Sequence, residues 1–179
     1  MRPKTHLALS LFGLCVAVVA CLAGCAYHVA GRGTRLPSSV KTIAVPALEN
    51  RTARYRIEQR LTEALVRELL ARTSYRVVSD PAAADAVLRG EITGLESSAV
   101  LFDTATGRAT TMLVTVRVAV RLEERATQSV LYRNDNFLVR EQYEISTDVA
   151  SFFDEEAPAL DRLARDFASK LVAALLENF

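Results

Sequence analysis

The side chains that could do chemistry in this 179-residue sequence are few, and most of them are arginines. A Ser-His-Asp or Cys-His site needs a histidine in a cleft, and beyond residue 25 the one histidine is His28, in a segment with no sustained periodicity. Zinc requires several His or Cys ligands at set spacing, and no such spacing occurs, so neither a catalytic centre, a metal nor a cofactor is expected. Asp154-Glu155-Glu156 reads as the solvated first turn of a helix, where carboxylates meet the positive end of the dipole. Carboxylate-only chemistry on glycans leaves no motif and stays open at this point. The arginines are more informative. Residues 26–140 hold 17 basic and 12 acidic groups, whereas 141–179 hold 3 and 9. Guanidinium forks bind phosphates and carboxylates bidentately, which suits an anionic lipid or an acidic protein surface, although a GC-rich genome also favours Arg over Lys. The candidates are Arg117 and Arg121, four residues apart on the outward face of one strand, and Arg108 in a hairpin loop.

Covalent chemistry is expected at Cys25. Arg2 and Lys4 form a short basic region, and Leu7 to Ala20 is an almost wholly apolar run, too short for a comfortable membrane span of about 20 residues and suited to a signal peptide. It ends in Leu22-Ala23-Gly24-Cys25, which looks like the bacterial lipobox, where cleavage before the cysteine leaves a thiol to be linked to diacylglycerol. Residues 1–24 are therefore expected to leave, taking Cys15 and Cys21 with them, so the mature chain has one acylated cysteine and no disulfide. Lipoproteins of this kind carry three acyl chains, and more than one chain gives stable anchoring. Ala26, rather than an inner-membrane retention Asp, follows the cysteine, which implies the outer membrane.

The elements that position the arginines follow from periodicity. Residues 25–40 read as a lipidated tether, rich in Gly, Ser and Pro, and 41–179 as one domain. Lys41–Leu48 predicts a short strand, and 53–72 an amphipathic helix capped by Thr52, with Ile57, Leu61, Ala64, Leu65 and Leu69 on its apolar side. Tyr75–Ser79 is a brief strand. Residues 84–102 form a long one, and Asp103–Arg108 a polar hairpin loop. Met112, Val114, Val116, Val118, Val120 and Leu122 alternate with Thr115, Arg117, Arg121 and Glu123, the mark of a strand with one face on a core. Ser129–Tyr143 returns, with a change of parity at Asn134-Asp135-Asn136 that predicts a bulge or a loop tip. A final helix, capped by Ser146 or Thr147 and favoured by Asp148, carries the stripe Leu160, Leu163, Ala164, Phe167, Leu171, Ala174 and Leu175. The expected fold is α+β: a two-layer sandwich of one mostly antiparallel or mixed sheet, with about four main strands and two helices on one face.

Five segments in this order resemble the LptE family of lipopolysaccharide-assembly lipoproteins. They are Gly24-Cys25-Ala26-Tyr27-His28, Lys41-Thr-Ile-Ala-Val-Pro46, Glu49-Asn50-Arg51-Thr52, Ala84-Asp85-Ala86-Val87-Leu88-Arg89-Gly90-Glu91-Ile92, and the terminal helix from Phe152 to Leu176. The resemblance implies a sheet with two helices on one side. It also implies a non-enzymatic role as plug and partner of the outer-membrane β-barrel LptD, binding lipopolysaccharide and helping it into the outer leaflet. A lipoprotein adaptor or activator of another envelope machine, such as a peptidoglycan synthase or a secretion pore, is the alternative, and a glycan hydrolase the lesser one. Near-neutral total charge and 7% aromatics argue against a nucleic-acid partner.

Overall fold

The computed structural model describes residues 36–145 and 155–177. Its elements are β1 (Thr42–Ala44), β2 (Glu49–Asn50), α1 (Ile57–Arg72), β3 (Arg76–Val78), a 3-10 turn (Pro81–Ala83), β4 (Ala86–Phe102), β5 (Ala109–Glu124), β6 (Val130–Glu144) and α2 (Glu156–Glu177). The strands make one mixed sheet in the order β3-β1-β4-β5-β6, with β2 pairing β4 beyond β1. Pairs involving β1 and β2 are parallel, and the long β4–β5–β6 meander is antiparallel.

The α+β sandwich expected from the pattern is present, with six strands rather than about four. The segment read as a strand at 41–48 holds only β1, which ends before Pro46, a residue with no N–H to give a ladder, and Glu49–Asn50 just beyond it adds the short β2. α1 starts at Ile57, not at residue 53, and Thr52 does not cap it. Instead the Thr52 hydroxyl donates to Asn50 Oδ1 at 2.7 Å and accepts from the Arg54 amide at 3.2 Å. The helix begins after Arg56, which has φ 60° and gives no side-chain cap. The expected caps Ser146 and Thr147, with Asp148 and Asp154, lie outside the described residues.

Both helices cover one face of the sheet. Ile57, Leu61, Leu65 and Leu69 of α1, and Leu163, Phe167 and Leu171 of α2, are all buried, as the 3.6-residue period requires. They meet Leu88, Ile92, Val114, Val116, Val118, Val120 and Leu122 from the sheet. Phe137 of β6 meets Phe167 edge-on, with ring centroids 5.7 Å apart. Ion pairs join elements at the rim: Arg54 with Glu156 at 2.6 Å, Arg162 with Glu141 at 2.5 Å, and Arg60 with Asp161.

The chain before β1 is part of this body. Leu36 and Val40, in the segment expected to be tether, are buried in the core, and the Ser39 hydroxyl donates to Glu124 Oε1 at 2.7 Å. Thr127 and Ser129 hydroxyls reach the other oxygen of Glu124. These hydroxyls, Ser39 first and then Thr127, hold the Glu124 carboxyl below its ordinary range. Asp85 does similar work beside β1: its carboxylate accepts the Lys41 and Thr42 amides at 3.0 and 2.9 Å, which lower its pKa.

Candidate functional site: an arginine row on the open face of the sheet

Because β-strand side chains alternate between faces, the buried valines of β5 leave Arg117 and Arg121 on the side away from the helices. The antiparallel register then decides their neighbours. Arg89 of β4 lies opposite Arg121, and Arg121 lies opposite Arg133 of β6. Three guanidinium groups thus stand in one row across three strands about 5 Å apart. Like charges directly opposite each other are unfavourable, so such a row needs carboxylates between its members.

It has two. Glu123, with its side chain only 21% exposed, accepts from Arg121 Nη2 at 2.5 Å and from Arg89 Nη1 at 3.3 Å. Asp135 receives Arg133 Nε on both oxygens, at 2.8 and 3.0 Å. That pairing lowers the Asp135 pKa and raises that of Arg133. Of the bulge and the loop tip that the parity change allows, the structure has the bulge, and it brings Asp135 to its place: β6 advances from Asn134 to Phe137 while β5 advances only from Val120 to Val118.

Farther along the same face, Arg117 pairs with Glu96 and lies across Gly94, where an added Cβ would sit 3.0 Å from Arg117 Nε. The glycine gives the guanidinium stem room to lie flat on the sheet. Arg140, opposite Thr115, is exposed, and among the described residues its side chain makes no hydrogen bond or ion pair. At the near end of the row, Pro81, Ala82, Val87, Arg89, Glu123, Arg125 and Gln128 line a cavity of about 230 Å³. Arg125 is committed there to the Ala84 carbonyl at 2.8 Å.

The structure therefore brings Arg117 and Arg121 onto one face, as their spacing predicts, and gives them Glu96 and Glu123 as partners. Glu91 of β4 is held by Arg51 at 3.2 Å. Arg108 stands apart from the row, in the β4–β5 hairpin loop. Arg89, Arg133 and Arg140 were not singled out from sequence. Cross-strand register and two bulges bring them beside Arg121 and Arg117, and no sequence spacing encodes that. Cys25 and His28 lie outside the described residues, which contain no group of three His, Cys, Asp or Glu able to hold a metal.

Surface ion pairs of this kind contribute little to stability, because water and salt screen them. They also hold the guanidinium groups at fixed positions on the face, and such forks bind carboxylates and phosphates alike. The fold and this face define a small α+β domain that carries a row of ion-paired arginines on the side of the sheet away from its helices. The chain belongs to the LptE lipopolysaccharide-assembly family, whose model matches residues 40–175. This is a family of non-enzymatic envelope lipoproteins.

Solved structures share the fold. Protein XCC0632 from Xanthomonas campestris aligns with a TM-score of 0.54 at 16% identity, covering 80% of this chain and 90% of that one. A putative lipoprotein from Caulobacter crescentus gives 0.50 at 17% identity, over 73% and 88%. The rare lipoprotein B from Shewanella oneidensis gives 0.50 at 14%, over 73% and 92%. Among curated proteins, none matches the chain in sequence.

Proposed function

We propose that this LptE-family protein is anchored to the outer membrane by acyl chains on Cys25, partners an LptD-like β-barrel, and binds lipopolysaccharide on its arginine face for delivery to the outer leaflet. In this reading residues 1–24 are a cleaved signal peptide, the chain from Cys25 is the tether, and the domain that follows is the working part. The observation that carries the ligand assignment is the in-register row Arg89–Arg121–Arg133, continued by Arg117 and Arg140. Phosphorylated sugar headgroups present several anionic groups on one rigid body. Cations spaced about 5 Å across strands and about 13 Å along β5 match such a ligand better than a single phosphate. A charged outer surface also suits a domain enclosed by a polar barrel lumen. A lipid anchor on the same membrane would raise the effective concentration of domain and barrel for each other.

The test is binding of purified lipopolysaccharide to the full chain carrying Arg121→Glu with Arg133→Glu. Two reversals on one face are expected to weaken binding by at least roughly tenfold, since hydrogen bonds to charged groups contribute about 1.5–3 kcal/mol each. Copurification with the barrel in mild detergent is expected to persist. Unchanged lipopolysaccharide affinity in the double variant would remove the arginine face from the function. Copurification of an inner-membrane synthase in place of a barrel would remove the partner.

A further inference from the structure

A strand at a sheet edge leaves half of its backbone hydrogen-bonding groups without a neighbour. β6 is such a strand: among the described residues, no strand pairs with its outer side. The register shows which groups are left. Ile145 donates its amide to the Thr110 carbonyl at 2.8 Å, and from Thr111↔Glu144 to Val118↔Phe137 the two strands pair without a shift. In an antiparallel ladder, residues bonded to the neighbour alternate with residues whose N–H and C=O point away from it. Ile145, Tyr143, Glu141, Val139 and Phe137 therefore bond to β5, and Leu138, Arg140, Gln142 and Glu144 aim their backbone groups out of the edge.

Native edges are usually blunted by proline, lysine, a bulge or a covering element. The bulge at Asn134–Phe137 interrupts β6 before this stretch, but 138–144 itself carries no proline, no lysine and no register shift. α2 covers one face, where Arg162 holds Glu141, and the side chains of Arg140, Gln142 and Glu144 are exposed on the other. At about 3.3 Å per residue the open edge runs for about 23 Å, enough for a strand of ordinary length.

The arginine row is unfinished at the same place. Arg89 and Arg121 share Glu123, Arg117 has Glu96, and Arg133 has Asp135. Arg140, the member on the open edge, has no carboxylate among the described residues, and Glu144 has no cation. In a sheet, the side chain directly opposite on the next strand is placed to supply such a partner. Outside β6 that position belongs to a strand this chain does not provide among the described residues. Such a strand needs an acidic residue opposite Arg140 and a basic one opposite Glu144.

We infer that residues 138–144 of β6 are a strand-addition site, which takes an extended segment of the barrel partner carrying an acidic and a basic residue four apart. The inference rests on the barrel partnership proposed above. The wall of a closed barrel has no free edge, so the segment is a loop or terminal stretch of the barrel chain lying in the lumen. Backbone bonds supply the affinity, and the two charges set the register.

Proline separates backbone pairing from side-chain contact. At residue 142 it removes an N–H that β5 does not use, whereas alanine removes the side chain and keeps the N–H. The full chain, as parent, Gln142→Pro or Gln142→Ala, is coproduced with the barrel and the two are recovered together in mild detergent. Gln142→Pro is expected to lower barrel recovery about tenfold and Gln142→Ala less than about twofold, since only proline costs a main-chain bond. Recovery with proline equal to that of the parent overturns the inference, and so does an equal loss with alanine. A parent that recovers no barrel overturns the partnership and this inference with it. A free chain that is a dimer, and becomes a monomer with Gln142→Pro, assigns the edge to a second copy and overturns the barrel segment. Hydrogen exchange on the parent complex needs no variant. The amides of Leu138, Arg140, Gln142 and Glu144 are expected to slow by about tenfold or more on binding, and those of Val139, Glu141 and Tyr143, already bonded, to change less. Uniform slowing across 138–144, or none, overturns strand addition.

Discussion

The two ends of the β4–β5 ribbon are built from the same kinds of residue and do opposite things. At the helix-covered end, Leu88, Ile92, Val116, Val118 and Leu122 alternate with Arg89, Arg117 and Arg121, so one face makes the core and the other carries charge. Toward the tip, Val100, Leu101 and Phe102 follow one another without alternation and lie exposed. Apolar side chains stabilise the fold only where another layer covers them. The helix layer is shorter than the ribbon. The same chemistry therefore holds the domain together at one end and is presented to the surroundings at the other.

Phenylalanine makes the sharpest version of that contrast, because one lies deep in each region. Phe167 is fully buried and stacked edge-on against Phe137, bridging α2 and β6. Phe167→Ala is expected to cost about 3–5 kcal/mol in chemical denaturation, the range for a large aromatic removed from a packed core. A loss below about 1 kcal/mol would mean that the α2–β6 contact collapses around the gap and that the helix-covered end is less rigid than its packing indicates.

How much of this was legible in the sequence differs by region. The period-two valines of β5 and the stripe from Leu160 to Leu175 fix the sheet face and the helix face, because burial on one side writes itself into spacing. The parity break at Asn134–Asn136 marked a real bulge for the same reason. The arginine row was only half legible. Arg117 and Arg121 share a strand, but Arg89 and Arg133 join Arg121 only through pairing across strands, and register depends on turns and bulges that one sequence does not fix. The start of α1 was misread because Thr52 has the chemistry of a cap and spends it on Asn50. Leu36 and Val40 were read as tether because two apolar residues among Pro and Ser carry no period. Their partners lie far off in sequence, as with Ser39 and Glu124.

That last contact allows a prediction of intermediate size. Glu124 ties the chain before β1 to the β5–β6 turn through hydroxyls of Ser39, Thr127 and Ser129, and these bonds depress its pKa. A carboxyl depressed in the folded state favours folding above its unfolded pKa. Its contribution fades as the pH falls through the lower, folded value. Glu124→Gln is therefore expected to be less stable than the parent at neutral pH, by less than Phe167→Ala, with the gap closing in acid. Thermal unfolding of both chains between pH 7 and 3 measures this. A gap that stays constant across the range would mean that the amide loses packing or geometry and that charge is not involved.

The smallest expected effect is the most discriminating, since it concerns the other phenylalanine. Phe102 is about half exposed, at the end of β4 past its last buried residue, and the loop beyond it closes through Asp103 and Arg108. No buried contact depends on its ring, and Phe102→Ser should change unfolding stability by no more than about 0.5 kcal/mol, as for an exposed side chain outside the core. The same ring is a liability in water, since an exposed apolar cluster invites self-association. The serine variant should therefore remain soluble at higher concentration than the parent, measured by light scattering. If Phe102→Ser instead destabilised the domain by as much as a core substitution, the tip would be packed against something within the same chain. The contrast between a covered and an uncovered end of one ribbon would then fail.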